Sequence, residues 1–305
     1  MNILAEILNF LQYQRHRIKR TPRFLCTKRL VAYLKNTPPP FVTEHERIKM
    51  IKFLRWHLVG VFNYPFAAKY RFKKGKVYMD SNNGLPFVIT KEGNRLYFKR
   101  CKTRKQVSDC YMGLCMEQDK HSPHYYCFNS PKIDSSTILA DVGAAEASFS
   151  LKFIDIVKKI YIFESDSEWI EALEATFQPW KDKVEIVNKY VYNNEVKNIE
   201  KENDAISLDN FFENSEPPTI IKIDVEGAEM QVLAGANKML ANKRVTDLLV
   251  CTYHHSGDED NLTRILTKNG YTVNPSEGYM LFEHSPPFGL EIPIDFRRGV
   301  IHAKK

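Results

Sequence analysis

The chain has 305 residues, 43% apolar and 27% charged, with 15 Pro and 13 Gly, usage that excludes global disorder and a fibrous or low-complexity chain. Its length suits one large domain, or a medium one with an appendage. The net charge of +7 hides an asymmetry, since residues 1–115 carry 24 Lys/Arg against 6 Asp/Glu and residues 116–305 carry 20 against 31, so a basic third is joined to a mildly acidic body.

Ile3, Leu4, Ile7, Leu8 and Leu11 fall at helical spacing ahead of Arg15, Arg17, Lys19 and Arg20. This predicts an amphipathic helix with a basic end. It could pack on the body or a second copy, or lie on an anionic membrane surface. A secretory signal has its basic cluster first, so none is read here, and no apolar run approaches membrane-spanning length. Pro38, Pro39 and Pro40 make a stiff break. Thr43 and Glu46 then form a capping box before an apolar stripe of Ile48, Ile51, Leu54, Leu58 and Val61. Residues 69–100 carry aromatic and β-branched residues between turn signals at Gly75, Asn83-Gly84 and Gly93-Asn94, which predicts Lys/Arg-rich hairpins. A helix within 103–130 is followed by a loop around His121-Ser-Pro-His124-Tyr125, which borders an acceptor pocket on this reading.

From residue 138 strand-like runs alternate with amphipathic stretches. The runs are 138–142, 160–164, 184–188, 219–225 and 247–253, with helices at 147–158, 166–177 and 228–241. Runs at 279–283 and 299–304 close the chain as a strand pair. The pattern predicts an α/β, doubly wound, mostly parallel sheet with an antiparallel end. Three regions follow: 1–40, a basic helix and Pro-rich linker; 41–118, a basic α+β region; and 119–305, the sheet domain. The six cysteines include no Cys-x-x-Cys pair and no standard zinc spacing. They are read as reduced thiols, which points to a cytoplasmic setting.

Ligands of such sheets sit beyond the carboxyl ends of the strands. The first strand ends in Asp141-Val-Gly143-Ala-Ala-Glu-Ala-Ser148, and the second in Glu164, 21 residues past Gly143. An acid at that distance suits ribose hydroxyls, which both NAD and S-adenosylmethionine (SAM) possess. The dinucleotide fingerprint would need glycines where Ala145 and Ser148 stand, so the turn makes a poor pyrophosphate cradle. The fourth strand reads Ile220-Ile-Lys222-Ile-Asp224-Val-Glu226-Gly227-Ala-Glu229. Alternation puts Lys222, Asp224 and Glu226 on one side. Glu229 falls in the first turn of the next helix, where a carboxylate is favoured, so a capping role suits it at least as well as a catalytic one. The fifth strand ends in Cys251-Thr-Tyr253-His254-His255, and a histidine there is a candidate general base.

Together, Asp141-Val-Gly-Ala, Phe163-Glu164, Ser207-Leu-Asp209, Lys222 to Glu229 and Val232-Leu-x-Gly-Ala236 resemble the FkbM family of SAM-dependent methyltransferases. The resemblance covers about residues 138–255. Two positions depart from it: Ala147 stands where the family usually has Gly, and Thr252-Tyr-His254 where many members have Glu-x-His. The resemblance implies a class I methyltransferase (Rossmann-like) fold, SAM as donor, and O-methylation of a hydroxyl on a sugar or glycan, such as a surface-polysaccharide or glycolipid precursor. On this basis Asp141, Gly143, Ala144, Ser148, Phe149 and Glu164 are expected to contact SAM. His254 or Asp224 is expected to take the proton, with Glu226 orienting substrate or base. A variant has Asp224 and Glu226 holding Mg²⁺ to acidify the hydroxyl. The basic region would meet an anionic or sugar-containing acceptor or the inner membrane face, and its first helix could mediate a homodimer. The competing readings are a nucleic-acid methyltransferase, disfavoured by the lack of an Asn-Pro-Pro-Tyr-type motif, and a non-catalytic SAM-fold binding protein.

Overall fold

The structure is a computed structural model and describes residues 22–193, 205–241, 243–282 and 295–305. The helix expected at residues 3–11 lies outside the described residues. The chain divides into two units: one takes the residues up to Arg71 together with Gly278–Arg297, the other Phe72–Glu277 and Arg298–Lys305.

In the first unit, helices α1 (Pro22–Asn36) and α2 (Glu44–Leu54) touch, and they bury Leu30, Leu34, Met50, Phe53 and Leu54. Thr43 caps α2 by accepting the Glu46 backbone N–H. The Glu46 carboxylate accepts the Thr43 hydroxyl at 3.3 Å through one oxygen and the N–H of Gly278 at 2.9 Å through the other. A two-stranded ribbon completes this unit, pairing the segments Met280–Phe282 and Asp295–Arg297 antiparallel.

The second unit opens with a three-stranded antiparallel sheet, β1 (Val77–Met79), β2 (Pro86–Ile89) and β3 (Arg95–Tyr97), the hairpins the turn residues predict. Helix α3 (Arg104–Glu117) follows, with a full capping box between Thr103 and Gln106. The chain then enters the main sheet through β4 (Ile138–Val142), β5 (Lys159–Phe163) and β6 (Val184–Val187), crossed over by α4 (Ser148–Phe153) and α5 (Ile170–Phe177). A small parallel pair, β7 (Tyr190–Val191) and β8 (Ala205–Ile206), and a short helix α6 (Leu208–Phe211) lead into β9 (Ile220–Ile223). After α7 (Glu229–Ala234) and α8 (Asn237–Ala241) come β10 (Asp247–Cys251), α9 (Asp258–Lys268) and β11 (Thr272–Pro275). The ribbon strands of the first unit are β12 and β13, and β14 (Val300–Lys304) ends the chain.

The seven-stranded sheet runs β11-β14-β10-β9-β4-β5-β6. β6, β5, β4, β9 and β10 are parallel, and β14 is antiparallel to both neighbours. This is the class I methyltransferase arrangement, with the switch point between β4 and β9. The central strands β4, β5 and β10 are mostly apolar because both faces are covered. Ile138, Ala140, Val142, Ile221 and Ile223 face a core with Leu233, Leu240 and Leu262, while Leu139, Ile160 and Ile162 face Phe149, Leu173, Phe177 and the hairpin residues Phe87 and Phe98. One pairing differs from expectation. The closing partner of β14 is β11, not the run at 279–283. β11 is a polar edge strand, mostly exposed, so its residues carry no apolar signal.

Candidate active site

The switch point opens a cleft of about 640 Å³. Its wall includes Gly143, Ala145, Glu164, Asp224 and Glu226, from the loops after β4, β5 and β9, and Tyr190 from β7. Gly143 is required where it stands. Its φ is +70°, and a Cβ there would lie 1.9 Å from the Asp224 carbonyl oxygen. Ala145 and Ala147 also have left-handed φ, +48° and +55°, an unfavourable conformation for an L residue that tends to be kept where function needs it. Glu164 is fixed at the cleft by two backbone donors, the N–H of Ala145 at 2.7 Å and that of Asp166 at 2.8 Å.

Behind this wall runs a buried polar column on the hairpin side of the sheet. Asp141 and Lys222 are register partners on β4 and β9. Lys222 Nζ lies 3.0 Å from Asp141 Oδ1 and donates to the Gly143 carbonyl at 2.6 Å, and Ser150 Oγ donates to Asp141 Oδ2 at 2.7 Å. Burial alone would discharge Lys222, but Asp141 and Asp224 outweigh it and raise its pKa.

Asp224 ends the column at the cleft. Tyr126 donates its hydroxyl to Asp224 Oδ2 at 2.7 Å, and Tyr253 to Oδ1 at 3.4 Å. His124 Nε2 stands 3.9 Å away. Burial pushes the Asp224 carboxyl up, yet Lys222, His124, the Tyr126 hydrogen bond and His254 prevail and hold it below the usual range. Asp224 is therefore a preorganised carboxylate. His124 is itself pushed down to about 4 by burial. Glu117 is raised to about 7 by burial and by the neighbouring charges of Glu146 and Asp224.

His254 stands beside Asp224, just past β10. Its Nδ1 lies 2.9 Å from Glu229 Oε1, and its Nε2 is 3.5 Å from Asp224 Oδ1 and 3.6 Å from Glu226 Oε2. Burial favours the neutral ring, but Glu229, Asp224 and Glu226 overcome it and raise the imidazole pKa. Glu226 is held in a left-handed conformation (φ +54°) with its side chain 91% exposed.

The structure thus brings Gly143, Glu164, Asp224 and Glu226 to one cleft, with His254 against its carboxylates. Asp141 does not reach the cofactor position expected of it: it is fully buried, and the cation it meets is Lys222. Ala144 and Phe149 are buried, Phe149 edge-on to Tyr126 at 5.2 Å, and neither they nor Ser148 line the cleft. Asp224 and Glu226 both face the imidazole nitrogen, so a histidine rather than the all-oxygen cage favoured by Mg²⁺ stands between them. Tyr126, Tyr253 and Glu229 complete the site. The sequence flagged the 121–126 segment and the acid at 229, but nothing in it links them to Asp224 and His254.

Residues 174–273 match the family model described as the methyltransferase FkbM domain. No curated protein matches the chain. Among solved structures, an FkbM methyltransferase of Methylobacillus flagellatus KT is similar, with 17% identity, 65% of this chain and 54% of that one covered, and a TM-score of 0.43. A precorrin-6y C5,15-methyltransferase of Geobacter metallireducens GS-15 aligns at 12% identity over 75% of this chain and 98% of that one, TM-score 0.38. TrmK of M. capricolum, in complex with S-adenosyl-homocysteine, aligns at 12% identity over 57% and 64%, TM-score 0.35. The chain spans about half the length of the first of these structures. The resemblance read in the sequence meets that family model over residues 174–273 of the 305.

Proposed function

We propose that this protein is a SAM-dependent O-methyltransferase that modifies a hydroxyl of a sugar or glycan. The observation that carries the reading is the imidazole of His254, clamped by Glu229 on one nitrogen and facing two cleft carboxylates with the other. The family match supports SAM as the donor. The residues present suit it. The volume lies within the usual range for a small-molecule site. Gly143 lets the loop after β4 pack directly on the Asp224 backbone at the cleft wall, and Glu164 is an anchored carboxylate of the kind that accepts ribose hydroxyls.

When bound, the donor supplies an electrophilic methyl group for in-line displacement by the acceptor oxygen. The protein aligns that oxygen and removes its proton. Glu229 Oε1 pairs with the ring at Nδ1, 2.9 Å away, which leaves Nε2, facing Asp224 and Glu226, as the nitrogen that takes up the proton. Asp224 and Glu226 then stabilise the imidazolium. Asp224 has the lower affinity for a proton, so it serves as the aligning and charge-balancing group, with Tyr126 and Tyr253 fixing its two oxygens. These groups suit a neutral hydroxyl, which needs a base, more than an already nucleophilic amine.

The test is incubation with methyl-labelled SAM and a fractionated lysate. Label should enter glycolipid or polysaccharide, and His254→Ala should abolish it. Label in nucleic acid would reassign the acceptor, and no label in any fraction would reject the enzymatic reading.

A further inference from the structure

The basic excess of the chain is not spread evenly once the ion pairs are drawn. Among residues 72–115, four of the ten Lys/Arg are held in ion pairs within the second unit. Lys99 pairs with Asp166 and Glu168, Arg100 with Glu171, Arg95 with Asp80, and Lys105 with Asp109. The first unit differs. Residues 22–71 hold ten Lys/Arg against two Glu. On α2 and the turn that continues it, Lys49, Lys52 and Arg55 are exposed and make no ion pair with any described residue.

The same face carries two apolar side chains that the fold does not cover. Ile48 is 41% exposed and Trp56 85%. The helix path carries on through Arg55, whose backbone is αR, so residues 48, 49, 52, 55 and 56 recur at i, i+1, i+4, i+7 and i+8 along one side. The opposite side buries Met50, Phe53 and Leu54. Ile48 and Trp56 therefore stand about 12 Å apart along the axis, at 1.5 Å per residue, with three cations around and between them. An indole and an aliphatic side chain set among Lys and Arg is the pattern of a helix lying in a bilayer interface, with the rings at headgroup depth and the cations on anionic phosphates.

We propose that this face of α2 docks the protein on an anionic phospholipid bilayer. The inference goes beyond the acceptor reading and does not depend on it. Nucleic acid would also draw the cations, but a phosphate backbone gives Ile48 nothing to bury against, whereas acyl chains do.

The test uses the full chain in co-sedimentation with vesicles of phosphatidylglycerol mixed with phosphatidylcholine, against vesicles of phosphatidylcholine alone. Binding is expected only to the anionic vesicles and should weaken with salt. Trp56→Ala should lower partitioning about tenfold through lost apolar burial. Reversal of each of Lys49, Lys52 and Arg55 to Glu should lower it at least about fivefold. All four side chains are exposed, so the variants should keep wild-type melting temperature and circular dichroism. The proposal is overturned if the wild type ignores anionic vesicles, or if binding survives intact in both Trp56→Ala and the triple charge reversal. It is also overturned if the same variants lose binding to single-stranded RNA while vesicle binding is unchanged. Methyl transfer to a detached acceptor should be unaffected by these variants.

Discussion

Glu229 Oε1 lies 2.9 Å from His254 Nδ1 and also accepts the backbone N–H of Val225 at 3.0 Å. One carboxylate thus ties the loop after β9 to the imidazole after β10, and so sets both the tautomer and the position of the proposed base. Glu229 is buried and held below the usual carboxylate range: burial opposes ionisation, but the bond from His254 outweighs it.

The first prediction concerns that pair. Glu229→Gln removes a charge that raises the His254 pKa. The acid limb of kcat/KM should therefore move to lower pH, by up to about one unit. In the wild type, activity should rise with pH through a pKa above the ordinary histidine value of about 6.5, because the base must be neutral to act. The plateau rate in the variant should also fall at least about tenfold, since misorientation costs part of the general-base contribution. A pH–rate profile with an unmoved limb would reduce Glu229 to a structural cap.

A second prediction separates Asp224 from its supports. Asp224→Ala and Glu226→Ala should each abolish turnover, with SAM binding retained by calorimetry. Tyr126→Phe removes one hydrogen bond to a charged group, a loss of about 1.5–3 kcal/mol, so kcat should drop about tenfold or more with KM for the donor little changed. Full activity in both alanine variants would sink the assignment.

The third concerns the buried pair behind the cleft. Asp141→Ala strands the Lys222 ammonium, which is 4% exposed. Breaking such a pair costs about 3–5 kcal/mol, and the melting temperature should fall by about 10 °C. Adding Lys222→Met should recover most of that loss, because the penalty is an uncompensated charge rather than a missing attraction. If the double variant melts no higher than the single one, the column contributes through packing instead.

The sheet was legible because its central strands are mostly apolar runs bounded by turns. Asp224, His254 and Glu164 were legible because they sit at strand ends, where this topology places ligands. What escaped was what depends on pairing across long separations. Tyr126 precedes Asp224 by 98 residues, with the buried strands β4, β5 and β9 between them in sequence, so periodicity gives no hint that they touch. Asp141 reads as a cofactor ligand until the β4–β9 register sets it opposite Lys222. Charge misled in a similar way, since Arg95, Lys99 and Arg100 look available in sequence and are paired in space.

The last prediction is Gly143→Ala. Residue 143 sits at φ +70°, a conformation that costs an L residue about 1–3 kcal/mol. The added methyl would also meet the Asp224 carbonyl at 1.9 Å and the Val225 side chain at 2.9 Å. Backbone cannot yield there as a flexible side chain would, so the loops after β4 and β9 must part. Those loops are two walls of the cleft, and the second carries Asp224 and Glu226. The Lys222 bond to the Gly143 carbonyl would be strained by the same shift. Donor affinity should therefore fall at least about tenfold, equivalent to about 1.4 kcal/mol, with a kcat loss beyond what saturating donor restores. Calorimetric titration with S-adenosylhomocysteine checks the first and single-turnover kinetics the second. Wild-type affinity in a folded Gly143→Ala protein would show that the donor does not rest against this turn.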